Sequence, residues 1–194
     1  MKQKTVGFAM CGSFCTFAPV LEQLEQLAAE YETVIPILSA TAYTTDSRFG
    51  AAADFRARIH ATCGMEPLHT LPQVEPFGPK KMLDILVIAP CTGNTLAKLA
   101  CGIADTSVTL ACKAHLRNAR PVVLGVSTND GLSGNAESIG QLLARKHIYF
   151  IPFGQDAPEK KPTSLVAHWK LLPQAVEMAL AGQQMQPLLQ SGAL

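Results

Sequence analysis

Apolar residues recur along this chain in two arrangements: short unbroken runs, and stretches in which they return every three or four positions. Thr5 to Met10 is the first run, and it ends on Cys11-Gly12-Ser13, which reads as a strand passing through a tight turn into a helix. In the segment that follows, Val20, Leu21, Leu24, Leu27 and Ala28 share one helical face. Thr33 to Leu38 is rich in β-branched residues and predicts the second strand. Pro36 removes a backbone donor from it, so this strand belongs at an edge or carries a bulge. Ser39 to Gly50 is polar and without period, hence a loop. Ala51 to Cys63 suits a helix that Gly64 stops, and Glu66 to Lys81, with Pro67, Pro72, Pro76 and Pro79, predicts an irregular connection.

Ile85 to Ala89 and Val122 to Val126 are wholly apolar, as expected of strands covered on both faces of a parallel sheet. Helices are predicted over Thr92 to Ala100, Thr106 to Leu116 and Ser138 to Ala144, with a further strand at Ile148 to Ile151. STNDGLSGN and PFGQDAPEKKP read as loops. A last helix would carry Val166, Trp169 and Leu172 on one side and be kinked or restarted at Pro173. The chain then divides into one domain, 1–182, and a loosely held tail, 183–194. Strands alternating with helices predict an α/β fold: a single-domain doubly wound parallel sheet.

Composition narrows the function classes. Hydrophobic residues make up 48% and charged residues 16%, which excludes a disordered or fibrous chain. A net charge of +1 gives no reason to expect nucleic acid or an anionic membrane as partner, and so apolar a composition favours a homo-oligomer. The opening MKQKTVGFAM resembles the start of a signal peptide, but Gly12 and Ser13 interrupt it and Glu22 and Glu25 follow. A first buried strand, and a cytoplasmic protein, are the expectation. Cys11, Cys15, Cys63, Cys91, Cys101 and Cys112 form no CxxC pair and have no histidine at zinc-ligand spacing, so no metal site is predicted and most should be small buried residues.

In open parallel sheets, ligands bind beyond the carboxyl ends of the strands. The turns CGSF, SATAYTT, APCTGNT and VSTND leave predicted strands in that direction, and they offer hydroxyls, amides and backbone N–H groups with little charge. Gly12 allows close approach of the backbone, and Ser13 supplies a hydroxyl at a helix start, where anions are favoured. The dipole adds only about 0.3–1 kcal/mol. Hydrogen bonds to a charged group contribute about 1.5–3 kcal/mol each, so the donors dominate. GxGxxG and GxxxxGK[ST] are both absent, which disfavours an ordinary dinucleotide fold or a P-loop NTPase. His60, His69, His115, His147 and His168 are scattered, with no catalytic spacing.

The run IAPCTGNTLAKLACGIADTSVTLACKA, Ile88 to Ala114, resembles the PASANT motif and following helix of the homo-oligomeric flavin-containing cysteine decarboxylase family. Pro90, Asn94 and Thr95 match that motif, and Lys98, Gly102, Ile103, Ala104 and Asp105 continue the match. The resemblance implies a Rossmann-like, flavodoxin-type three-layer sandwich, one protomer of a trimer or of a dodecamer of trimers, with FMN near an interface between protomers. It places Gly12, Ser13 and Phe14, with Ser39 and Thr41, around the FMN phosphate. Thr92, Asn94 and Thr95 would lie near the flavin and substrate, Asn94 as the catalytic candidate, and Asn129 matches the asparagine of the family's PxMNxxM segment. Thr128 and Leu132 stand where that segment has methionines, which argues against cysteine decarboxylation.

The strings TTDSRFG, GPKKMLDILVIAPCTGN, LRNARPVVLGVSTND and IYFIPFGQDAPEKKP, in order from Thr44 to Pro162, resemble another branch of these flavoproteins. Its members work with an NADPH-binding partner to turn dihydrodipicolinate into dipicolinate, in the mother cell of a sporulating bacterium. That implies an oxidoreductase with a flavin as hydride acceptor. Arg48, Lys160 and Lys161 are the candidate cations for the substrate's two carboxylates. Cys91 has no neighbouring base or cation in sequence and is read as a packing residue. The competing readings are a flavin-dependent decarboxylase or prenyltransferase, and a non-catalytic FMN- or substrate-binding protein that activates its partner.

Overall fold

The computed structural model describes residues 1–190. The apolar runs become strands β1 (Lys2–Met10), β2 (Tyr31–Leu38), β3 (Ile85–Cys91), β4 (Val122–Thr128) and the short β5 (Ile148–Phe150), all parallel. Their order is β2-β1-β3-β4, with β5 beside β4. The chain therefore winds outward one way from β1 to β2 and the other way from β3 onward, and the direction reverses between β1 and β3. β2 lies at the sheet edge, where Pro36 forfeits little. Leu68 extends that edge, donating its N–H to Pro36 O at 2.9 Å and accepting from Leu38 N at 2.8 Å.

The helices follow the predicted periodicity. α1 (Phe17–Glu30) buries Val20, Leu21, Leu24 and Leu27, and α3 (Ala52–Cys63) ends at Gly64 with φ +70°, the left-handed turn that favours glycine. α5 (Gly93–Ala100) is capped by Thr92, α6 (Ser107–Leu116) by Thr106, and α7 (Ala136–Leu143) precedes β5. α1 packs against α3 and α8 (Leu172–Leu180), while α5 packs against α6 and α7, so two groups of helices sandwich the sheet. Every residue of β3 is buried, as the unbroken apolar run required.

Several local expectations are corrected. The 39–50 loop contains the helix α2 (Ala40–Thr44), whose N-cap Ser39 accepts from Ala42 N at 3.2 Å. The proline-rich connection contains two short helical turns: α4 (Leu71–Val74), with a capping box from Thr70 and Gln73, and a 3-10 turn at Glu75–Phe77. Val166 is not helical. It lies in β7 (Leu165–Ala167), which pairs antiparallel with β6 (Phe153–Gly154) and with Ser127–Thr128 at the end of β4, making the sheet mixed. At Pro173 the expected restart holds, since it stands in the first turn of α8. The segment after Gly182 is held, not loose, as far as Gln190. Gln184 bonds both the N–H and the C=O of Phe150 at 2.8 Å, Met185 is buried, and Phe153 N donates to Leu188 O at 3.0 Å. The last four residues of the expected tail lie outside the described residues.

Candidate functional site

The reversal between β1 and β3 opens a crevice at their carboxyl ends, and the predicted turns meet there. Cys11 N donates to Pro90 O at 3.1 Å, which joins the first and third turns. Ser39 N donates to Met10 O at 3.0 Å, which joins the first and second. Ser13 Oγ lies 2.7 Å from Ser127 Oγ, which joins the first and fourth. Gly12 has no room for a side chain, because a Cβ there would come within 2.9 Å of Thr41 Cγ2. Phe14 flanks the turn, its ring 5.1 Å from that of Phe17, which in turn meets Phe55 edge-on at 4.9 Å.

The residues carried by the third turn divide by orientation. Asn94 is exposed on the first turn of α5. Thr92 caps that helix, accepting from Thr95 N at 3.4 Å. The Thr95 hydroxyl is buried and donates to Cys11 Sγ at 3.3 Å, so it braces the crevice from within rather than facing it. Asn129 is exposed, and its carbonyl accepts from Thr163 Oγ1 at 2.7 Å, which fixes the fourth turn to the 156–164 loop.

The three candidate carboxylate-binding cations have different surroundings. Lys161 is paired with Asp156 at 2.9 Å, which removes it as a free cation. Lys160 is exposed, and the Arg48 guanidinium lies 4.8 Å over the ring of Phe49. A cation that sequence reasoning missed stands by the second turn. Arg56 lies 4.6 Å over the Tyr43 ring and bonds the Tyr43 carbonyl, and Tyr43 stacks on His69 with centroids 3.7 Å apart. No periodic signal joins these three. Ser127 and Asn135 were also missed. Ser127 sits inside a turn already singled out, whereas Asn135 reaches the site only by tertiary packing. A Cβ on Gly93 would fall 2.4 Å from Asn135 Nδ2 and 2.7 Å from Thr128 Oγ1, and the buried Asn135 Oδ1 has no partner among the described residues.

Apart from Asp130 in the fourth, the four turns carry no charged side chain. Burial pushes the Cys11 thiol up to about 11 and the Cys91 thiol well above its usual value, so both are protonated at neutral pH. Cys91 is fully buried in β3, consistent with packing rather than nucleophilic work. Asp130 is the acid of the fourth turn, and its carboxylate accepts from the Thr128 hydroxyl. Hydroxyls, backbone N–H groups and a bare glycine beside helix starts suit a phosphate and a flat polar ring. Among the described residues no cluster of His, Cys, Asp or Glu could hold a metal ion, and no helix is long and apolar enough to cross a membrane.

The sequence model of the family described as Flavoprotein matches residues 1–131, which hold all four turns of the crevice but not Asn135 or the 156–164 border. The chain belongs to the flavoprotein family. Within it, the chain is 47% identical over 189 residues to the B subunit of dipicolinate synthase from Bacillus subtilis (strain 168), covering 97% of this chain and 94% of that protein. It superimposes on the crystal structure of the B subunit of dipicolinate synthase from Bacillus halodurans C with a TM-score of 0.89 at 46% identity, over 97% of each chain. The FMN-dependent cysteine decarboxylase SpaF shares the fold, with a TM-score of 0.66 at 21% identity over 92% of this chain and 96% of that one. The doubly wound sheet expected from the hydrophobic pattern, and the Rossmann-like flavoprotein fold implied by the resemblance, are therefore the fold of the relatives as well.

Proposed function

We propose that this flavoprotein is the B-type subunit of a dipicolinate synthase. With the enzyme's NADPH-binding A-type subunit it would oxidise dihydrodipicolinate to dipicolinate, as a homo-oligomer built from trimers in the cytoplasm of a sporulating mother cell. The observation that carries this reading is the end-to-end agreement with a B-type relative, 47% identity over 97% of the chain.

FMN would sit where the fold reverses, its phosphate at Gly12, Ser13 and Phe14 with Ser39 and Thr41 beside them, and its ring toward Thr92, Asn94 and Asn129. When bound, it supplies a hydride acceptor, which aromatising a dihydropyridine ring requires. The protein's part is positional. Ser13 and Ser127 share one hydrogen bond, which leaves one hydroxyl proton of the pair for a phosphate oxygen. Thr95, tied to Cys11, keeps the first and third turns in register. Exposed Asn94 supplies an amide donor and acceptor to ring or substrate. Arg48 and Lys160 are the cations left to meet the carboxylates, since Lys161 is engaged by Asp156.

Purified chain, given dihydrodipicolinate with FMN and NADP⁺ (the oxidant that takes up the hydride as NADPH) and assayed with and without its A-type partner, tests this. Dipicolinate should form only when both proteins are present, and Arg48→Ala should weaken dipicolinate binding. No product from the pair would overturn the assignment, and full turnover by this chain alone would leave the partner no role.

A further inference from the structure

A depression of about 320 Å³ lies away from the crevice, where the end of α5, the last turns of α6 and the start of β5 meet. Its walls are apolar, from Leu99, Ile103 and Ile148, and Lys113, Arg117 and Arg145 stand around it. It belongs to the opposite end of the sheet: Ile148 opens β5, and Leu99 is near the far end of the helix whose first turn borders the crevice.

Three features set this depression apart from ordinary surface. Ile103 leaves 46% of its surface open beside it, an apolar cost that nothing in the fold requires. Lys113 and Arg117 are four residues apart, so the two like charges share one helical face. The dipole of α6 favours basic residues at its end, but Arg145 arrives from beyond α7. There it donates Nη1 to Leu99 O at 2.9 Å and Nη2 to Ala100 O at 3.0 Å, which fixes the guanidinium while its five N–H groups exceed those two bonds. No acidic residue lines the depression among the described residues, and Asp105, two residues from Ile103, is held by Lys98 at 2.8 Å. A half-enclosed apolar volume in the range of small-molecule sites, with unneutralised cations around it, is complementary to an anion with a compact apolar body.

We infer that this depression is a second ligand site, for small aromatic carboxylates, independent of the flavin crevice. The ring lies against Leu99, Ile103 and Ile148, and the carboxylate faces Lys113 and Arg117. The probe is 4-fluorobenzoate, followed by fluorine NMR with the full chain. It should bind, the isosteric 4-fluorobenzylamine should not, and Lys113→Ala combined with Arg117→Ala should weaken binding roughly tenfold or more through lost charge-assisted hydrogen bonds. Both substitutions are on exposed positions, and an unchanged circular dichroism melt identifies the loss as local. Gly12→Val, which blocks the crevice, should leave the affinity as it was. The inference is overturned by equal binding of the amine, by an unaffected double variant, by loss of binding in a folded Gly12→Val, or by no binding at all. An acidic peptide that binds where fluorobenzoate does not would assign the face to a protein partner and overturn it equally.

Discussion

The two ends of the sheet are built from different chemistry. At the amino end, charged and titratable side chains fasten the elements together. Lys2 bridges Glu30 and Glu177 at 3.0 and 2.9 Å, the Tyr31 hydroxyl bonds Glu177, and His115 Nε2 meets Pro121 O at 3.0 Å. Asp84 receives Thr5 N at 2.8 Å, and Arg120 bonds the Leu83 carbonyl. At the carboxyl end, the contacts between turns run through serines, threonines, backbone groups and a thiol. A charge fixed within a binding crevice would compete with the ligand for its donors, whereas neutral donors stay free to turn toward it. Charged groups fasten the elements at the amino end, and neutral polar groups join the turns at the carboxyl end.

That contrast can be broken by substitution, and the largest effect is expected at the amino end. Burial lowers His115 to about 4. Folding therefore favours its neutral form, so the stability is fully present above the unfolded value near 6.5 and is lost as pH falls toward 4. The difference amounts to about 3 kcal/mol. Urea titrations across that window should show wild type losing about that much more than His115→Gln; equal losses would remove His115 from the account. At the other end, Gly93→Ala drives a methyl into Asn135 and Thr128 and should cost about 1–3 kcal/mol, read as a lower melting temperature, with FMN retention lost as well. Glu177→Ala frees Lys2 and the Tyr31 hydroxyl, but the carboxylate is 47% exposed, so the loss should be about 1 kcal/mol with FMN binding unchanged. Gly140→Ala, in a helix with nothing within 4 Å of the new methyl, should raise stability by about 0.5–1 kcal/mol without touching the crevice.

Legibility along the chain follows the same physics. β3 and β4 are wholly apolar because both faces are buried, and such runs announce themselves without any structure. Gly64 and Pro36 are readable because each enforces a local backbone constraint at its own position. The segment from Phe153 to Ala167 escapes sequence reading because strands of two and three residues have no period to detect, and Val166, Trp169 and Leu172 happen to fall at helical spacing. Within the site, Gly12, Ser13 and Thr92 are visible as turn and cap chemistry. Thr95 is expected at the flavin yet faces inward, since only the fold turns its hydroxyl toward Cys11. Asn135 and Arg56 enter through contacts between distant segments that spacing does not encode.

The central claim is that the neutral turns between β1 and β3 grip FMN, and one titration bears on it directly. FMN is added to wild type and to Gly12→Val, and the visible spectrum is recorded after gel filtration. The new side chain would crowd Thr41, whose Cγ2 lies 2.9 Å from where a Cβ on residue 12 must stand, while the rest of the fold is untouched. The account predicts a flavin spectrum that travels with wild type and is absent from a variant that still folds. A variant that keeps its flavin, or a wild type that never retains any, would contradict it.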